Sequence, residues 1–157
     1  MALAKEDLKA AYPLPVYNYR VEIGSEAVAF SEVSGLSISV ETTTYKESPT
    51  SSGVPGPRLM VMPGQLAQPT ISLKKGLVPA ISIPILYGWI NSIQLNQVEK
   101  KDIKISLCNE AGDPVVTWIA INAFPTKLDA PSFDANSNDA AIESMDLICD
   151  RVTMSAS

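Results

Sequence analysis

The chain has 157 residues, 46% of them hydrophobic, 18% charged and 6% aromatic, with a formal net charge of −5; this suits one domain with a core of its own. It holds no histidine and two cysteines, which removes Ser–His–Asp and Cys–His nucleophile sets, His-containing zinc sites and four-cysteine sites. The basic doublets Lys74–Lys75 and Lys100–Lys101 are too short for the phosphate-neutralising face of a nucleic-acid reader and read as solvated strand ends.

Residues 2–11 have the composition of a short helical turn, stopped by Pro13 and Pro15. Residues 1–15 are therefore expected to form an arm, weakly structured unless docked on a neighbour. No secretory-type apolar stretch opens the chain, and no apolar run is long enough to span a membrane. Tyr17, Tyr19, Val21 and Ile23 alternate with Asn18, Arg20 and Glu22, the pattern of a half-buried strand. Gly24–Ser25 turns it, and residues 27–30 make the return strand of a hairpin. After a break at Ser34–Gly35, residues 36–45 alternate again, with Leu36, Ile38, Val40, Thr42 and Thr44 on one face.

Residues 48–64, SPTSSGVPGPRLMVMPG, contain four prolines and three glycines, so residues 46–64 read as one long loop. Loops of that length in compact domains are functional or disordered. The apolar run Leu59, Met60, Val61 and Met62 favours function, because a free loop has no use for it. Lys46, Glu47, Val54 and Arg58 join these four as candidate contacts to another copy of the chain.

Ile71 and Leu73 mark a strand over 69–74, closed by Lys75–Gly76. The spacing of Ile85, Leu86, Trp89, Ile90 and Ile93 predicts a helix over 81–93. Ser82 is its expected N-cap, with Pro84 in the first turn and Gly88 a mid-helix cost of about 1 kcal/mol. Residues 102–107 are a strand, and NEAGDP at 109–114 a turn. Residues 115–121 are apolar on both faces, so this strand is expected to be buried on both sides and to end at Pro125. An Asp/Asn/Ser loop follows, then a strand over 142–151. The stretch 110–152 has the look of a barrel seam. Trp89, Trp118 and Phe124 are the expected core anchors. Cys108 and Cys149 close strands among apolar neighbours and read as buried, reduced thiols. The sum is a single mainly-β domain of about eight strands. It forms two antiparallel sheets packed as a sandwich or barrel, with one flanking helix.

No chemical motif survives inspection. Asp134, Asn136 and Asn138 fit positions 1, 3 and 5 of a calcium loop, but Asp139 stands where glycine is needed and Met145 where glutamate is. The carboxylates Asp129, Asp134, Asp139, Glu143 and Asp146 read as a solvated acidic face. Pro55-Gly56-Pro57 lacks phosphate-loop spacing. No cofactor, no metal and no enzymatic activity are expected. A β-sandwich binding or adhesion module is the alternative to an assembly role. It would need a concave aromatic patch, and the aromatics are few and scattered.

Several motifs in order carry a resemblance: FSEVSGL at 30–36, MPGQ at 62–65, ISLKKG at 71–76, YGWINSI at 87–93, EKKDIKISLCNEAG at 99–112, and NAFPTKL with PSFDANSNDAAIE at 122–143. The chain resembles inner-tube proteins of contractile phage tails across roughly 12–153. WINSIQLNQVEKKDI is most similar to tube proteins of the antifeeding-prophage and Photorhabdus virulence cassette type. Pro69 departs from the pattern, standing where a strand residue is usual. The resemblance implies two sheets packed as a barrel with one helix at its side, and hexameric rings stacked into a hollow tube inside a contractile sheath. It implies sheath, baseplate and terminator proteins as partners and effector cargo in the lumen. No sequence-specific nucleic acid and no stable membrane insertion of the subunit are expected. Assembly is expected in the bacterial cytoplasm, as part of a phage-tail-like particle.

Overall fold

A computed structural model describes residues 4–49, 53 and 55–156. Helix α1 (Lys5–Ala11) precedes ten strands: β1 (Tyr19–Ile23), β2 (Glu26–Val28), β3 (Glu32–Ser34), β4 (Val40–Glu47), β5 (Arg58–Leu66), β6 (Thr70–Gly76), β7 (Lys101–Cys108), β8 (Pro114–Asp129), β9 (Ile142–Ile148) and β10 (Arg151–Ala156). All pairings among them are antiparallel. One helical segment follows β6: α2 (Pro79–Ile81), a π-helical stretch (Ser82–Tyr87) and α3 (Gly88–Asn91). Among the described residues no helix is long and apolar enough to cross a membrane.

The long strand β8 joins the two sheets. Its first half lies between β7 and β10, and its second half pairs with β9. The order β2-β1-β7-β8-β9-β6-β3 runs through it. The barrel is open, because β2 and β3 at the two ends of this path do not pair with each other. One core lies between the two parts. It joins Val21, Ile23 and Ile103 from one sheet with Ile71, Leu73, Met145 and Leu147 from the other, and Leu86 and Trp89 of the helix close it.

Pro125 does not end β8. The strand runs on to Asp129, with Asn122 at φ 54° and a register shift between Pro125 and Lys127. A left-handed residue and a bulge bend the strand from one sheet into the other. Proline is tolerated at such an irregular position because the ladder there already lacks a regular donor. Residues 114–119 are half-buried rather than enclosed on both faces.

The expected strand over 142–151 is two strands, broken at Cys149–Asp150. There the Asp150 N–H donates to Ile121 O at 2.9 Å, and Asn122 Nδ2 donates to Asp150 Oδ2 at 2.9 Å. The helix also differs from expectation. Val78, not Ser82, is its N-cap, with Pro79 in the first turn. Ser82 is buried, and its Oγ accepts from the Val78 N–H at 3.2 Å. Pro84 then falls inside the helix, where it has no N–H and its ring crowds the preceding turn. The local π winding accommodates it. Gly88 makes no close approach to the sheet; a Cβ there would meet only Ile83 O at 3.5 Å.

Two expected surface charges are interior. Lys75 and Glu143 are 4% and 5% exposed. They are direct cross-strand partners on β6 and β9, on the same inward phase as Leu73 and Met145. Both cysteines are buried and free. Burial, and then the nearby charge of Asp150, push the Cys149 thiol above its ordinary range.

Candidate functional site

The long loop expected over 46–64 is half of an extended hairpin. Among the described residues β4 and β5 pair only with each other; 48–57 is the interval between them, of which 50–52 and 54 lie outside the described residues. Proline explains the misreading. Pro55 and Pro57 fall in that interval, whereas Pro63 sits inside β5 opposite Thr42, beside a register shift. A two-stranded ribbon has an unpaired edge on each strand, so a residue without an N–H fits there.

Period two sorts the hairpin into two faces. Thr44 opposes Val61 and Lys46 opposes Leu59 on one face; Thr43 opposes Met62, Tyr45 opposes Met60 and Glu47 opposes Arg58 on the other. Arg58 Nη2 donates to Glu47 Oε1 at 2.8 Å in an exposed ion pair. Apolar side chains on both faces lie in solvent: Tyr45 49%, Leu59 55%, Val61 62% and Leu66 54% exposed. An isolated ribbon of this kind is marginal in water, and this one leaves apolar area in solvent on both faces.

Its root is held firmly. The Ala67 N–H donates to Ser39 O at 3.0 Å. Gly35 has φ +87°, and a Cβ there would be driven into the carbonyl oxygen of Thr70. Only glycine fits this approach, which turns the chain out of the sheet. Residues 36–39, expected as strand, are therefore irregular, and β4 starts at Val40.

Of the candidate contacts, Lys46, Glu47, Arg58, Leu59, Met60, Val61 and Met62 lie together on the hairpin; Val54 lies outside the described residues. The expected anchors separate. Trp89 is 3% exposed, its Nε1–H donates to Glu99 O at 2.7 Å, and Lys101 Nζ lies 5.1 Å from its ring centroid. Trp118 and Phe124 are half-buried against the core. Trp118 lines an apolar cleft of about 430 Å³ with Val33, Leu36, Ile105 and Leu107. Tyr19 borders the same cleft. Its hydroxyl donates to Phe30 O at 2.7 Å, and burial, reinforced by the Glu32 charge, raises its pKa.

The acidic loop makes turns. The Asn136 N–H donates to Asp134 Oδ1 at 3.0 Å and the Asp139 N–H to Ser137 Oγ at 3.1 Å. Among the described residues no cluster of three or more His, Cys, Asp or Glu side chains could hold a metal. A second uncovered apolar patch, absent from the sequence reading, follows β6: Leu77 43%, Val78 45%, Ile83 60% and Tyr87 51% exposed. Its signal was present, since Ile83 and Tyr87 are four residues apart and off the buried helix face.

Comparison with known proteins agrees with this geometry. The family described as T4-like virus tail tube protein gp19 matches residues 15–153. A chain of the PVC sheath–tube complex of an extracellular contractile injection system, in the extended state, is 46% identical, with TM-score 0.87 over 99% of this chain and 100% of its own. A chain of the anti-feeding prophage tube-terminating cap is also 46% identical, with TM-score 0.84 over 100% of both chains. One from the PVC sheath/tube terminator in the extended state is 50% identical, with TM-score 0.82 over 92% of this chain and 98% of its own. No curated protein sequence matches. An open antiparallel barrel with an uncovered apolar hairpin, matched over nearly its whole length by a tube family, is a structural tube subunit: the chain belongs to the T4-like virus tail tube protein gp19 family.

Proposed function

We propose that the chain is the repeating inner-tube subunit of an extracellular contractile injection particle. Its 157 residues act as one tube domain, with residues 1–15 as an arm and the hairpin reaching an adjoining copy. Copies form hexameric rings, and the rings stack into a hollow tube. Sheath contraction drives the tube through a target envelope, with effector cargo carried in the lumen. Sheath, baseplate and terminator proteins are its partners. The subunit is made and assembled in the bacterial cytoplasm and leaves it as part of the particle.

The observation that carries this reading is the hairpin, apolar on both faces and paired only with itself. An enzyme would have little use for it; a ring or a stack covers it. Unpaired edges at β2 and β3 support the same reading, because open edges are a liability unless a neighbour pairs them. The similarity to a chain of a sheath–tube complex supports the choice of particle.

The test is electron microscopy of the purified protein, with native mass spectrometry across a concentration series. Rings or filaments are expected. A folded protein that stays monomeric at every concentration would sink the proposal. Replacing residues 43–62 by a short Gly–Ser turn should leave the barrel folded and abolish stacking. Normal filaments from that variant would make the hairpin decoration.

A further inference from the structure

We infer that the hairpin of one copy seats in the cavity beside α2 on a second copy, at the far end of β6 from the hairpin root. This rests on reading the hairpin as an intersubunit element, and it names the receiving site. The cavity has a volume of about 330 Å³, and its walls include Leu77, Ile83, Tyr87, Leu128 and Glu143. Three of these, Leu77, Ile83 and Tyr87, are large side chains left uncovered in the subunit.

The wall has one unsatisfied group. Glu143 is 5% exposed, and its Oε1 is the one buried side-chain oxygen or nitrogen without a hydrogen bond among the described residues. Lys75 Nζ lies 3.9 Å from it, beyond hydrogen-bond reach, and spends its contacts on Gly76 O at 2.7 Å and Ser82 Oγ at 3.4 Å. Asp129 also lines the cavity, paired at 3.3 Å with Lys127 in an exposed contact of the kind that holds loosely. An uncovered apolar rim over an incompletely paired acid calls for an occupant that is both apolar and cationic.

One face of the hairpin has that chemistry. Leu59, Val61 and Lys46 share it, with Thr44 between. The opposite face is less suited, because its cation, Arg58, is already closed onto Glu47. Placement supports a second copy as the donor. The hairpin root lies at the start of β6, where Gly35 presses on Thr70 and Ala67 bonds to Ser39. The cavity begins at Leu77, just past the end of β6 at Gly76. Seven strand residues separate them, about 20 Å of extended chain. A projecting element at one end and its receptor at the other make a heterologous, head-to-tail contact, which repeats along an axis.

Paired cysteines test the contact. Both native thiols are buried, so Leu59→Cys with Ile83→Cys adds one accessible thiol to each surface. Diamide-treated filaments of the double variant should run as a ladder of covalent multimers on a non-reducing gel, while either single variant, whose thiol then faces Leu59 or Ile83 on its neighbour, should stay monomeric. Charge reversal is the second arm. Lys46→Glu and Asp129→Lys should each lower filament yield about tenfold, and the two together should restore most of it. Filaments without a ladder, or a reversed pair no better than its singles, overturn the socket. Should the cysteine variant fail to assemble, charge reversal alone decides. The hairpin reading is judged separately: the 43–62 replacement abolishes filaments if it is right, and leaves them if it is wrong.

Discussion

Replacing Trp89 by alanine should remove the anchor between helix and sheets. Trp89 is 3% exposed within the core, so the change leaves a cavity that rigid strands fill poorly. Tryptophan-to-alanine changes at such sites cost about 3–5 kcal/mol. The lost hydrogen bond to Glu99 O adds little, since Glu99 is exposed and water takes over its carbonyl. Loss of the Lys101 contact at 5.1 Å adds about 0.5–1 kcal/mol. The total of about 4–6 kcal/mol corresponds to a Tm lower by roughly 10–20 °C for a domain of this size. Denaturant unfolding followed through Trp118, the remaining tryptophan, reads it. Protein concentration should stay below the assembly threshold, because association adds apparent stability. Trp89→Phe keeps most of the packing and loses only the second ring's share of it, so it should cost about 1–2 kcal/mol. If Trp89→Ala melts with wild type, the helix is not pinned by this side chain. If the two variants cost the same, the hydrogen bond dominates and the cavity argument fails.

Four further outcomes are expected. Gly35→Ala should destabilise by several kcal/mol or prevent folding, because φ is +87° and the Cβ meets Thr70 O; thermal melts check it. Gly88→Ala should be neutral to stabilising by up to about 1 kcal/mol, since nothing nearer than Ile83 O at 3.5 Å opposes the new methyl. Glu143→Gln should cost about 3–5 kcal/mol by leaving Lys75 buried without its counter-charge, while Lys75→Met with Glu143→Leu should cost much less in the same denaturation assay. Cys149 is buried with a raised pKa, so its thiol stays protonated at neutral pH. Its contribution to stability is present below the unfolded-state thiol pKa and is lost as pH rises through the folded one. A thiol reagent at pH 7 should label it only on unfolding, and rapid labelling of native protein would contradict the burial.

Much of the fold was legible because alternation survives in strands that face one core. Val21 with Ile23, Ile71 with Leu73, and Ile103 with Ile105 each mark an inward phase. The same rule, carried one step further, would have found the interior ion pair. Lys75 continues the phase of Ile71 and Leu73, and Glu143 opens that of Met145 and Leu147. At both positions strand phase outweighs charge type. The hairpin was missed for a different reason. Strand recognition relies on one buried face, and β5 has none, so proline count decided and gave a loop. The bend in β8 depends on Asn122 adopting φ 54°, which tertiary pairing selects and local sequence does not announce. The apolar residues of the hairpin could be picked out from the sequence; the cavity at the other end of β6 could not, because it is assembled from three separate segments.

The energetics of the hairpin bear on how such a subunit assembles. Val40, Tyr45, Leu59, Val61, Met62 and Leu66 are all between 41% and 62% exposed, so about half of each side chain remains to be buried. Full burial of one such side chain is worth roughly 1.5–3 kcal/mol, which makes each half-buried one worth about 1 kcal/mol and the six together about 5–9 kcal/mol. Association costs an estimated 4–15 kcal/mol in lost translational and rotational freedom. A hairpin covered on both faces therefore comes close to cancelling that cost, one covered on a single face falls short of it, and an isolated pair of subunits is marginal. A subunit that enters a growing ring edge meets several neighbours at once and loses its freedom only one time. Each added contact then contributes almost its full value. The hairpin can thus stay in solvent without driving indiscriminate pairing, and filament growth should show a threshold concentration and a lag instead of a smooth rise.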